Sequence, residues 1–556
     1  MKQLSGTDAM FLQFEQGNNH MHVASLAIYD PSTAPGGGVR FKDVLRFFTT
    51  RIAEFPHFRR RLVQIPLSLD RPYWIEDDSI DVEFHVRHIA VPHPGDWRQL
   101  CIQVARLHSR PLDRSKPLWE AYVIEGLNRV PGLPPGSFAL YFKIHHSIVD
   151  GESGTEMMKA LHSLSPEPLN LGDEEAEPRF KADRTPTGVE LYSRALLHNV
   201  EKVPSLAKFS LETARKVAAL GAGKFGQLSA NRDTAVQTVK ALLSGDMSPL
   251  LSILPPSTRF SGDVSSHRVF EAVELPLADF KTIREQVGDV TVNDLFLATV
   301  GGALRRYLGA KKELPDASMV AMVPMTLRGA DKGGDRGNQV GFTAMTVHTD
   351  IADPIDRLRR IHEGAITSKE VTGALGKELA RDLLENLPNV VSHTLLRNVK
   401  LPGVGLIVSN VRGPDVPLYM AGAQLVKYVP ISIAVDGMGL NVTGFSYAGV
   451  MRICAISCRE MLPDPAFFAE CMTEAFEEMK RAAAEIVVPA TARLAAPARR
   501  ARKPKAKAKT KAAKGARPMP VAKPGAAAMN GHANGAPRAA AKKAAKPAKR
   551  RTAKSR

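Results

Sequence analysis

Cysteine is scarce in this chain of 556 residues. The four present, Cys101, Cys454, Cys458 and Cys471, fit neither a zinc-site spacing nor a disulfide framework. A reduced, cytoplasmic setting is the expectation. Long apolar runs are missing too. No stretch approaches the roughly 18 uncharged apolar residues of a membrane span, and the opening MKQLSGTDAMFLQFEQ lacks the continuous apolar segment of a secretion signal. Any meeting with a membrane is therefore expected at its surface. Acidic residues are absent from the last 70 positions: Val487 to Arg556 holds 21 Lys and Arg and no Asp or Glu. The formal charge of +18 is thus a property of the tail, because the remainder carries 54 basic residues against 57 acidic ones. Rich in Ala, Lys and Pro, the tail cannot bury enough apolar surface to offset its ordering entropy and is expected to be disordered. It has no Phe, Tyr or Trp to stack on bases, so any nucleic-acid binding by it is expected to be sequence-blind.

What remains reads as a folded body. Residues 1–164 alternate strand-like runs (HVASLAIYD, AYVIEGL, FALYFKI) with helical ones (FKDVLRFFTTRIAEF, WRQLCIQVARLHS). That mixture argues a mixed α/β (α+β) layered fold. Over residues 165–262 the pattern degrades into SPEPLNLGDEEAEPRFKADRTPTG and then a basic, helix-like stretch, which reads as a crossover or linker. Within it, Val203 to Phe225 spaces apolar residues near the helical period among several lysines. An interfacial helix and an ordinary packed linker both fit that spacing. Mixed patterning returns over residues 263–486, with SMVAMVPMTL and GFTAMTVHTD as strands and DPAFFAECMTEAFEEMKRAAAEI as a closing helix.

Chemistry concentrates in LYFKIHHSIVDGESG, Leu140 to Gly154, where an apolar strand gives way to a loop. His145 and His146 are neighbours on an extended segment, so their side chains face opposite ways and cannot share one task. One is expected in a cleft and the other in packing. A neutral imidazole takes a proton from a hydroxyl as a bond forms, an effect worth roughly 10²–10⁴-fold. Asp150 is placed to hydrogen-bond the loop or pair with a cation, and Gly151 permits a positive φ at the turn. The same divergence makes His145, His146 and Asp150 a poor metal-ligand set. A serine triad is disfavoured, because GFSYAG (Gly444 to Gly449) misses the G-x-S-x-G spacing by one residue. GAGKFG, from Gly221 to Gly226, fits a dinucleotide fingerprint only as a string, with no strand before it. Further along, Thr291 with Asp294 three residues on forms a capping-box pattern, which puts Asn293 and Asp294 in the first turn of an amphipathic helix.

HHSIVDG matches the HHxxxDG motif of CoA-dependent acyltransferases and of peptide-synthetase condensation domains. LSGTDAMFLQFE, PLW at Pro117 to Trp119, Asn293–Asp294, VPMTLR, GNQVGF, SNVRGP and GLNVTGFSYAG follow in order. Over roughly residues 1–485 the chain resembles the bacterial wax ester synthase/diacylglycerol acyltransferase family.

That resemblance implies two chloramphenicol-acetyltransferase-like halves, residues 1–164 and 263–486, with the histidine loop in a channel between them. It implies acyl transfer from acyl-CoA, as co-substrate and without another cofactor or a metal, to diacylglycerol or a long-chain alcohol. His146 would be the general base and His145 a support. Asp150 would brace the loop, with Arg328 a candidate partner. Asn293 would donate to the oxyanion or position the hydroxyl, and Asp294 would cap its helix or join the site. Glu15 and Trp119 match family positions near the channel, although a large aromatic such as Trp119 is equally at home in a core. Lipid substrates imply peripheral attachment to the inner face of the membrane or to lipid droplets. A different reading makes the body a non-catalytic acyl-binding module and the tail its working part, bound to nucleic acid or an anionic membrane. Release of free CoA thiol separates the two.

Overall fold

The computed structural model describes residues 1–77, 80–148, 158, 160–167, 183–200, 255–326, 340–375, 389, 392 and 403–486. Its first half runs β1 (Lys2–Gln3), α1 (Gly6–Phe14), β2 (His22–Asp30), α2 (Phe41–Glu54), β3 (Arg60–Val63), β4 (Tyr73–Glu76), α3 (Val82–His85), β5 (Val86–Ala90), α4 (Trp97–His108), β6 (Trp119–Glu125) and β7 (Phe138–His145). Its second half runs β8 (Arg268–Pro276), α5 (Leu277–Val287), α6 (Val292–Ala310), β9 (Val320–Thr326), β10 (Val340–Thr346) and α7 (Pro354–Leu375). It then continues through β11 (Leu406–Arg412), β12 (Tyr419–Met420), β13 (Ala423–Ile431), β14 (Leu440–Tyr447), β15 (Val450–Cys458) and α8 (Pro465–Ala484).

Helix starts follow local chemistry. Ser5 caps α1 by accepting the Asp8 N–H at 3.0 Å, and Asp96 caps α4 by accepting that of Gln99 at 2.8 Å. Two six-stranded sheets form, in the orders β12-β13-β2-β7-β6-β5 and β10-β9-β11-β14-β15-β8, with a small β1-β4-β3 sheet beside them. Pairing is mixed: β5 runs parallel to β6 and β11 parallel to β14, while most other neighbours are antiparallel. The first sheet is completed from the second half of the chain, for β13 pairs with β2 from Gln424 opposite Asp30 to Ile431 opposite Ala24. One buried cluster joins Leu26 and Ile28 of β2 and Val429 of β13 to Phe270 of β8 and Cys454 and Ile456 of β15. The two sheets therefore share a core. All four cysteines are buried free thiols.

Helix α6 departs from its expected amphipathic character, because every residue from Asp294 to Leu304 is buried. It meets its neighbours so closely that a Cβ at Gly301 would lie 2.1 Å from Val347 O, and one at Gly302 2.9 Å from Ala475 Cβ. Only glycine permits that approach. Part of the 165–262 segment is docked on the body: a helix over 188–200 buries Leu191 and Ala195 against Val63, Ile65, Tyr73 and Ile75. Asn199 Nδ2 fastens it further by donating to Leu69 O at 2.9 Å. Val203 to Phe225, the string Gly221 to Gly226 and the tail 487–556 lie outside the described residues.

Candidate active site

The histidine pair stands at the end of β7, a central strand of the first sheet. His145, 1% exposed, is the strand's last residue, opposite His22 of β2. Its backbone N–H donates to Leu118 O at 3.0 Å, so the PLW element holds the strand end in place. The ring Nδ1 accepts the Ser147 N–H at 3.1 Å and lies 2.7 Å from Ser147 Oγ. That acceptor role puts the ring proton on Nε2, which faces Glu15 Oε2 at 3.3 Å, an electrostatic contact rather than an aligned hydrogen bond. Arg114 grips the same oxygen, donating from Nη2 at 2.6 Å and from Nε at 3.2 Å. Burial alone would raise the Glu15 carboxyl. The contact with His145 and the hydrogen bonds and charge of Arg114 outweigh it and hold the group down at about 2. His145 is thus engaged on both ring edges.

His146 takes the other direction. It is half-buried, and its backbone N–H donates to Met21 O at 2.8 Å. Its ring stacks on Phe11 of α1, with centroids 4.0 Å apart and planes 11° apart. Phe11 belongs to a small apolar cluster with Met21 and Val435, against which Met10, Phe14, Ile433 and Met438 pack. The structure therefore gives the two imidazoles different neighbours: Ser147 and Glu15 meet the ring of His145, and Phe11 meets that of His146.

Glu15 and His145 come together, and Trp119 does not join them. It is 0% exposed, donates Nε1–H to Phe58 O at 2.9 Å and stacks on His85 at 4.4 Å. Truncating so buried an aromatic costs roughly 3–5 kcal/mol, so its loss reports on the core first. Asn293 and Asp294 open α6, on the second sheet's side of the molecule. The expected capping box is present: Thr291 Oγ1 accepts the Asp294 N–H at 3.2 Å, and Asp294 Oδ2 accepts the Thr291 N–H at 2.8 Å. The same Oδ2 lies 2.8 Å from His362 Nδ1 of α7. Half-buried Asn293 accepts at Oδ1 from Asn410 Nδ2 of β11 at 3.4 Å. Asp150, Gly151 and Arg328 lie outside the described residues. Among the described residues no three His, Cys, Asp or Glu side chains are grouped to hold a metal ion.

Sequence reasoning missed several partners. Phe11 lay unremarked inside FLQFE, and Ser147 inside the histidine motif itself. Asn410 is in SNVRGP. Arg114 and His362 carry no sequence signal. Lys143 was overlooked as well, two residues before His145 on the same strand face. Fully buried, it donates Nζ to Leu107 O at 3.3 Å and Arg110 O at 3.0 Å and pairs with Glu120 at 3.2 Å. Burial pushes its pKa down, and its position ties the C-terminal end of α4 to β7.

Two six-stranded sheets that share a core, with a histidine pair at the end of a central strand, have counterparts among solved structures. The first condensation domain of the calcium-dependent antibiotic synthetase superposes with a TM-score of 0.52 at 15% identity, covering 88% of this chain and 97% of that one, a likeness of fold alone. The wax ester synthase/diacylglycerol acyltransferase from Marinobacter aquaeolei VT8 superposes with a TM-score of 0.59 at 27% identity, covering 87% of this chain and all of that one. In sequence, O-acyltransferase WSD of Acinetobacter baylyi is 32% identical over 474 residues, 83% of this chain and 93% of the relative. The wax ester synthase/diacylglycerol acyltransferase catalytic domain matches residues 4–296, and the WS/DGAT C-terminal domain matches residues 336–480. The chain belongs to the wax ester synthase/diacylglycerol acyltransferase family.

Proposed function

We propose that this protein transfers a long-chain fatty acyl group from acyl-CoA to the hydroxyl of diacylglycerol, of a long-chain alcohol, or of both, with His146 as general base. The observation that carries the residue assignment is the division of labour in the pair. His145 is buried with Ser147 and Glu15 on its ring, and half-buried His146 stacks on Phe11, whose apolar cluster suits lipid. A thioester is already activated, so the chemistry needs no covalent enzyme nucleophile. His146 takes the acceptor's hydroxyl proton as the new C–O bond forms, and the carbonyl oxygen gathers negative charge. Collapse breaks the C–S bond, and the imidazolium returns its proton to the CoA thiolate. Asn293, whose Oδ1 is occupied by Asn410, has its Nδ2 to donate to that oxyanion. Glu15 and Arg114 hold His145, and with it the start of the loop.

Attachment is peripheral. No helix among the described residues is long and apolar enough to cross a membrane. The tail's 21 basic residues supply attraction to an anionic surface, about 1 kcal/mol for each one near the headgroups. Deleting Thr491 to Arg556 is expected to abolish salt-sensitive sedimentation with anionic vesicles while turnover of dispersed substrates stays within about twofold. The enzyme assignment is tested by incubating the purified full chain with palmitoyl-CoA and either dioleoylglycerol or hexadecanol. Acceptor-dependent release of CoA thiol, with triacylglycerol or wax ester formed, is the expected result. Thiol release that neither acceptor accelerates would overturn it.

A further inference from the structure

An apolar cavity of about 80 Å³ lies on the first sheet beside the histidine pair. That is several times the roughly 10–15 Å³ one water needs. Its floor is a single face of two paired strands, with Val23, Ser25 and Ala27 on β2 and Leu140, Phe142 and Ile144 on β7. The register sets Val23 opposite Ile144, Ala27 opposite Leu140 and Tyr29 opposite Phe138, a run of about 20 Å at the usual rise of a strand. One end is defined by Ile144, two residues before His146. The roof is Met158 and Leu161, which follow the HHSIVDG motif in the chain. The space is therefore bracketed by residues on both sides of the catalytic loop.

The far end is closed by a polar pair. Tyr29 Oη donates to His162 Nε2 at 2.7 Å, and His162 Nδ1–H donates to Met158 O at 2.6 Å. Burial pushes His162 down to about 4, so the pair is neutral and satisfies itself. The other polar side chains of the lining, Ser25 and Tyr428, hydrogen-bond each other, so a water, which needs two to four polar partners, gains little there. Hydrocarbon suits such a space.

We propose that this cavity receives the distal methylenes of the acyl chain, and that the Tyr29–His162 bond is the stop that sets the preferred chain length. The inference rests on the acyl-CoA reading above. It extends that reading by assigning a chain-length subsite to residues outside the reacting centre.

Ala27 lies mid-floor and is 2% exposed. In Ala27→Leu, kcat/KM for palmitoyl-CoA relative to decanoyl-CoA, with hexadecanol as acceptor, is expected to fall by on the order of tenfold, the penalty for displacing a methylene or two. Leu161→Ala enlarges the space and is expected to raise the stearoyl-to-palmitoyl ratio. A ratio that stays put in either variant, with folding intact by circular dichroism, overturns the proposal. Where neither variant folds, the wild-type chain decides, using a palmitoyl-CoA analogue with a diazirine at its terminal carbon. Photolabelling of peptides spanning residues 23–29, 138–144 or 158–162 is expected, and labelling confined to other peptides overturns the subsite. Wild-type thiol release with palmitoyl-CoA and either hexadecanol or dioleoylglycerol monitors the transfer reaction separately. Its failure with both acceptors refutes the acyltransferase reading, whereas an unchanged ratio with transfer intact refutes only the subsite.

Discussion

Phe11 and His146 lie face to face across α1 and the end of β7, their ring centroids 4.0 Å apart and their planes within 11° of parallel. The contact fixes the plane of the imidazole proposed as the general base, a role that needs placement to within a fraction of an ångström. Phe11→Leu keeps most of the apolar volume and removes the flat face. Its kcat is expected to fall roughly tenfold, while KM for palmitoyl-CoA stays within about twofold. A KM that rises with kcat unchanged would make Phe11 a substrate contact instead.

Glu15 gives a pH signature. Its carboxyl, held down at about 2 against an ordinary 4.5, binds its proton less readily in the folded protein than in the unfolded chain. The stability it contributes is therefore complete above pH 4.5 and is lost as pH falls toward 2. Glu15→Gln removes that contribution, on the order of 3 kcal/mol. The gap in unfolding midpoint between wild type and Glu15→Gln is expected to be widest at pH 6 to 7 and to narrow below pH 4.5. A gap independent of pH would show that the carboxylate's charge does not hold this network.

The Asn293–Asp294 pair divides by role. Asp294→Ala deletes a helix cap and the buried partner of His362, and is expected to cost about 2 kcal/mol of stability. Its turnover per folded molecule should change little. Asn293→Ala is expected to unfold like wild type and to lose roughly a hundredfold in kcat, the low end for an oxyanion donor. Stability measured by denaturant alongside kcat separates the two, and a reversed pattern would exchange their assignments.

Local elements were legible in the sequence because strand alternation, helical periodicity and capping residues are short-range signals. HVASLAIYD is β2, FALYFKI is β7, and Thr291 with Asp294 caps α6 as its spacing implies. The divergence of His145 from His146 followed from the period of a strand alone. What escaped was long-range. Nothing near Arg114 announces that it grips Glu15, 99 positions away in the chain. The local pattern of residues 423–431 reads as a strand without saying that it completes the first sheet rather than the second. Helix α6 carries enough small and polar residues to read as amphipathic, and only its neighbours on every side reveal that it is buried. Trp119 shows the same limit, since its motif marks the position and packing alone places its ring in the core.

The assignment of His146 as the base is tested most directly by single-turnover release of CoA thiol from palmitoyl-CoA with saturating hexadecanol, in His146→Ala and His145→Ala side by side. His146→Ala is expected to unfold like wild type and to be slower by at least roughly a hundredfold. His145→Ala, which strips a partner from Glu15 and Ser147, is expected to lose less activity and to unfold at a lower denaturant concentration. Equal losses of rate in two fully folded variants, or a His146→Ala protein that turns over near the wild-type rate, would contradict His146 as the base.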